Sequence, residues 1–159
     1  NNETLYFGRV ENYNELVKWV YPSNSSKIDS DWFSKNMIPH QSSFIFSEIH
    51  KKFLFNDKRL SIGNDALILG MVAQNYKTKF IDKIITKVEL GGDSNDWKSL
   101  IKVYDYNYQT FIVNYELGRG HDYFGLFYQN MRSTIQYVIF HLFGRKTFYR
   151  IFYRKFLNK

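Results

Sequence analysis

M-I-P-H-Q-S-S-F-I (residues 37–45) and F-N-D-K-R-L-S-I-G-N-D-A-L-I-L (residues 55–69) together hold the residues that decide the fold. Pro39, His40 and Gln41 open this stretch, and Asp65 closes it. Between them the pattern predicts a strand over 43–46, a short helix over 47–53 and a turn around Asn56 and Asp57. Gly63-Asn64-Asp65 then leads into an apolar helical run over 66–75. A carboxylate in the first turn of a helix is favoured by the positive helix end, so a helix start accounts for Asp65 on local grounds. His40 has two readings of its own. It can hydrogen-bond a substrate phosphate or hydroxyl, or it can be a satisfied histidine that fixes its loop.

Upstream, T-L-Y-F-G-R-V (4–10) and E-L-V-K-W-V-Y (15–21) read as two strands that form a hairpin, followed by a loop over 22–26. Asp29-Ser30-Asp31 spells D-x-D, a pattern whose hard oxygen ligands suit Mg²⁺ or Mn²⁺. The same residues suit a helix cap, and the cap is the expectation here. Downstream, strands over 77–80 and 83–90 are expected, split by a turn at Ile81 and Asp82. Gly91-Gly92-Asp93-Ser94 breaks the pattern sharply. Paired glycines permit positive φ or close approach to a ligand, and Ser94 can equally cap the next helix. That helix is expected over 95–117. Trp97, Leu100, Ile101, Tyr104, Tyr108, Phe111, Ile112 and Tyr115 recur along it at three- and four-residue steps, as a core-facing stripe does.

The order of P-H-Q-S-S-F, then F-N-D-x-x-L-x-I-x-x-D, then a strand running into E-L-G-G-x-S resembles family 2 glycosyltransferases. These are GT-A-fold enzymes of bacterial cell-surface polysaccharide synthesis, and the resemblance covers roughly residues 4 to 118. It implies an α/β fold with a partial GT-A mixed sheet. It also implies sugar transfer from a nucleotide-diphosphate donor to a hydroxyl of a polysaccharide or lipid-linked acceptor, at the inner face of the cell membrane. By the same resemblance Asp65 is the catalytic base. Asn64 shapes its turn, and His40, Gln41, Gly91, Gly92 and Ser94 line the acceptor or diphosphate side. Two departures stand out: Ala66 replaces the aromatic that follows this aspartate in the family, and one extra residue separates Phe55 from Asp65. Y-F-G-R-V resembles the strand that follows the nucleotide-binding half in this family. The donor pocket and the divalent-cation ligands, for Mg²⁺ or Mn²⁺, are therefore expected ahead of Asn1.

The bulk properties bound this reading. At 159 residues one compact domain is the default. The formal charge of +7 suggests an anionic partner: a nucleotide sugar, a lipid surface or nucleic acid. No cysteine is present, so disulfides and thiolate chemistry are excluded. The four histidines show no metal-ligand spacing. Aromatics make up 19 % of the chain, and with the basic charge they also suit a module that holds single-stranded nucleic acid by stacking and phosphate contacts. That reading leaves the pattern from Met37 to Ser94 unexplained. A third reading is a catalytically silent remnant of a transferase, in which the acceptor half persists without its donor half.

Residues 119–159 form a separate compositional unit. From Tyr123 onward there is no acidic side chain and there are seven basic ones, interleaved with bulky aromatics. Gly144 is expected to separate two helices. The second, over 145–157, has the mixture of cations and aromatics found in helices lying on anionic membranes. The other reading is a helix packed on its own domain with a solvated basic edge.

Overall fold

The computed structural model describes residues 4–23, 28–53, 58–61, 63–90, 99–120 and 122–157. Its centre is strand β1 (Thr4–Tyr13), whose Leu5, Phe7 and Val10 are buried. On one side β1 pairs with β2 (Lys18–Tyr21) and with the short β3 (Ser43–Phe44), both antiparallel. On the other side it pairs in parallel with β4 (Lys77–Glu89) along its whole length. The chain is therefore α/β with a four-stranded mixed sheet.

The expected hairpin is present, with a later second strand. Asn14 Oδ1 accepts the backbone N–H groups of Leu16 and Val17, which makes 14–17 a side-chain-closed turn instead of strand. The two strands expected over 77–90 are one. The residues around Ile81 and Asp82 include no glycine or proline to break the ladder. They are absorbed as an irregularity in which Gly8 pairs with Ile81, Arg9 with Ile84 and Val10 with Thr86. Asp82 pairs there with Arg9 across the strands. Gly8 is required at this point, because a Cβ would run into the Ile85 side chain and lie 3.0 Å from the Lys83 carbonyl.

Helix α1 (Ser30–Lys35) follows the loop after β2, and Asp29 caps it by accepting the Trp32 N–H at 2.9 Å. Helix α2 (Ser47–Lys52) follows β3. Helix α3 (Asn64–Asn75) lies between the sheet and helix α4 (Leu100–Glu116). Its Leu69 and Val72 join Leu5, Phe7, Ile38 and Ile49 in one core. Its Leu67 joins Phe111, Ile112, Val113 and Leu117 in a second. Burying a side chain of this size stabilises the fold by about 1.5–3 kcal/mol.

The face of α4 differs from the expected stripe. Ile101, Tyr108 and Tyr115 are exposed, whereas Asn107, Gln109 and Asn114 are buried. Polar burial is tolerated because each finds partners: Asn107 on helix α5 (Tyr123–Phe152), Gln109 at Ser61 and Asp105, and Asn114 at the Thr110 carbonyl.

Gly144 breaks α5 as expected, with φ 78° and ψ 166°. Beyond it the aromatics are used internally. Phe148 and Tyr149 are buried with Val17 and Leu90, and Trp19, Phe152, Tyr153 and Phe156 pack around them. The excess of aromatics over 145–157 thus belongs to a third core, and Leu157 bridges to Val17. Among the described residues no helix is long and apolar enough to cross a membrane. Asn56, Asp57, Gly91, Gly92, Ser94 and the expected helix start at 95–98 lie outside the described residues.

Candidate functional site

A cleft of about 300 Å³ opens between the end of β1, the His40–Ser42 turn, the head of α3 and one side of α4. His40, Gln41 and Asp65 all line it.

Each of these positions is fixed by local chemistry. The Ser42 hydroxyl, fully buried, donates to the Gly8 carbonyl at 2.8 Å, and the Ser43 hydroxyl donates to the Pro39 carbonyl at 2.8 Å. On the other side Thr86 Oγ1 donates to the Gln41 carbonyl at 2.7 Å. The short turn carrying His40 is therefore tied to β1 and β4 at once. Asp65 is positioned by Gly63, which enters α3 at φ 110°. A side chain there has space, with Val113 3.6 Å from a Cβ, so it is the left-handed backbone that demands glycine. Asp65 then falls in the first turn of α3, where the positive helix end favours its charge.

The two side chains meet. His40 Nδ1 lies 2.9 Å from Asp65 Oδ2, and Asp65 Oδ1 accepts the Ala66 N–H at 2.8 Å. Both residues are about half exposed. The contact with Asp65 raises the His40 pKa against the opposing effect of burial. The contact with His40 lowers the Asp65 pKa, again against burial. A carboxylate anchored on one nitrogen of an imidazole, open to a cleft, can take a proton from a bound hydroxyl or orient the imidazole to do so.

The other expected site residues divide. Gln41 lines the cleft. Asn64 does not, and its amide donates to the Leu60 carbonyl at 2.8 Å, which braces the turn before α3. Gly91, Gly92 and Ser94 lie outside the described residues. Asp29 is committed to the α1 cap, and among the described residues no three carboxylate, histidine or cysteine side chains gather as a cation site.

Sequence reasoning missed the opposite wall. Tyr21, Tyr106, Gln109 and Thr110 line the cleft. Tyr21 donates its hydroxyl to the Met37 carbonyl at 2.7 Å, and burial pushes its pKa to about 12. Gln109 bridges Ser61 Oγ at 2.8 Å and Asp105 at 2.6 Å. Gln109, set between Tyr106, Tyr108 and Phe111 in the helical run, was the available sequence signal for this wall.

No family model, curated protein or solved structure matches this chain.

Proposed function

We propose that this chain is the acceptor-side part of an inverting glycosyltransferase of the family 2, GT-A type, acting in cell-surface polysaccharide synthesis. The observation that carries the reading is the His40–Asp65 pair at the mouth of a cleft also lined by Gln41. These are the residues of the family-like pattern, brought together from positions far apart in sequence. In the proposed reaction Asp65 removes the proton from an acceptor hydroxyl. That oxygen forms the new bond to the anomeric carbon as the carbon–oxygen bond to the donor diphosphate breaks, and the nucleoside diphosphate leaves from the opposite face. His40 holds the carboxylate in place, and Gln41 is available to the acceptor. A divalent cation, Mg²⁺ or Mn²⁺, on the diphosphate belongs to the complete transferase. The described residues offer no ligand set for it.

One observation favours a second assignment of the proton acceptor. Both Asp65 oxygens already accept hydrogen bonds, so Asp65 can orient His40 while His40 Nε2 takes the proton. The test is the transfer rate of Asp65→Asn in an active transferase carrying this segment. A fall of roughly a hundredfold or more at unchanged melting temperature is expected for a positioned base. Near-normal turnover leaves Asp65 as a helix-start residue, since asparagine serves there as well. The pH profile of kcat/KM separates the two assignments. With Asp65 as base the acid limb falls below the ordinary carboxylate range, because its pKa is lowered. With His40 as base the limb lies above 6.5, because its pKa is raised.

A further inference from the structure

The first part of α5 is amphipathic in the sense opposite to a helix of a water-exposed surface. Between Gln129 and Thr134 its protein-facing side is polar and satisfied. Asn107 Nδ2 donates to Asn130 Oδ1 at 2.9 Å and to Ser133 Oγ at 3.0 Å, and Gln129 Nε2 donates to Asn107 Oδ1 at 3.1 Å. Tyr104 and Thr134 share a hydrogen bond at 2.6 Å. The outward side is apolar. Phe124, Tyr128, Met131, Ile135, Val138 and Leu142 follow one another at steps of four and three residues, which places them on one helix face. They are exposed by 75, 64, 50, 55, 44 and 72 %. At 1.5 Å per residue the row is about 27 Å long. A single exposed apolar side chain needs no explanation, but a continuous row does.

We infer that this row is a membrane-surface face, on which α5 lies flat against an anionic bilayer. Charge selects the occupant. Arg132 is exposed one residue beyond Met131, and Arg145 and Lys146 are exposed just past the end of the row. From Tyr123 to Lys159 there are seven lysines and arginines and no acidic residue. A second copy set against this face would bring two wholly cationic helices together with no carboxylate to pair them. Lipid phosphates complement the same charges, at about 1 kcal/mol for each basic residue near the surface. The apolar row enters the boundary between headgroups and acyl chains, while the cations hold the phosphates above it. This inference is independent of the transfer chemistry and of the His40–Asp65 pair.

Flotation of the whole chain with vesicles tests it. The chain should float with phosphatidylcholine vesicles containing phosphatidylglycerol, and float less as salt is raised. The double variant Phe124→Gln, Leu142→Gln changes two exposed side chains. It should bind these vesicles at least about tenfold more weakly while melting as the parent does, since two buried apolar contacts are lost. Failure of the parent to float overturns the inference, as does equal flotation of parent and variant or equal binding to neutral and anionic vesicles. A dimer in solution that the double variant abolishes, without flotation of the parent, assigns the row to a second copy and also overturns it.

Discussion

His40 and Asp65 are separated by 25 positions in the sequence (65 minus 40) and by 2.9 Å between side-chain atoms. Local signals gave a loop-fixing histidine after Pro39 and a helix-start carboxylate after Gly63, and only the family-like pattern singled both out as site residues. The pattern also sets them in one site, but the direct contact depends on Gly63 turning the chain at positive φ and on Ser42 and Thr86 tying down the other loop. The pair ties the stability of the cleft to pH. His40 has a raised pKa, so its contribution is full below its ordinary value of 6.5 and is lost as pH rises through the folded value. Asp65 has a lowered pKa, so its contribution is full above its ordinary value of 3.8 and is lost as pH falls through the folded value. Both hold between 3.8 and 6.5. Half exposure keeps the effect small, since solvent screens the pair. The melting-temperature difference between the parent and His40→Gln should therefore be largest near pH 5 (roughly mid-window) and shrink towards alkaline pH. A difference that stays constant across the range would show that the histidine contributes packing and not charge.

Among the elements, those with strict local patterns were legible and those governed by partners were not. The β1–β2 hairpin, α3 and the break at Gly144 follow from alternation, helical spacing and glycine. β4 was read as two strands because Ile81 and Asp82 interrupt its alternation, yet pairing with β1 along its full length holds it as one. The α4 stripe was read as core by the same period rule. It faces outward where it does because α5 meets α4 through polar side chains, and periodicity says nothing of what stands opposite a helix. Gly144 gives the element-scale prediction. Its φ of 78° with ψ of 166° lies in a region that glycine alone adopts readily, although nothing stands within 4 Å of a Cβ there. Gly144→Ala should therefore cost about 1–3 kcal/mol through the backbone alone. That corresponds to several degrees in melting temperature for a chain of this length. The damage should appear in the third core, where Phe148 is held, as a loss of near-ultraviolet dichroism from packed aromatics. An alanine variant that melts with the parent would mean that the two halves of α5 can join by an ordinary helical residue.

At the scale of the whole molecule, the first and third cores draw on the sheet, the second lies between α3 and α4, and the cleft sits where the hairpin, α3 and α4 converge. The α/β class was legible from the alternation of short strands with helical runs. The third core was not, because its members come from residues 16–19, from Leu90 and from the last helix, and only the tertiary fold joins them. This plan bears on what the chain can bind. Open α/β sheets hold nucleotides in crevices at the carboxyl ends of their parallel strands. Here β1 and β4 are the one parallel pair among the described residues. The cleft is about 300 Å³, at the small end for sites that enclose drug-sized ligands. Among the described residues that line it, His40 is the one cationic candidate, and neither lysine nor arginine is present to neutralise a diphosphate. A nucleotide sugar needs both more enclosure and more positive charge than that. Calorimetry of this chain with uridine and guanosine diphosphate sugars in the presence of Mn²⁺ should accordingly give no binding in the micromolar range. Under the proposed function the cleft receives the acceptor, whose hydroxyl would reach Asp65 and His40, and the donor would be held outside this chain. Micromolar affinity for either donor would place the nucleotide pocket within these 159 residues. It would also require the cleft, or a surface outside the described residues, to hold the diphosphate. The acceptor-side assignment would then fail even if Asp65→Asn still abolished transfer.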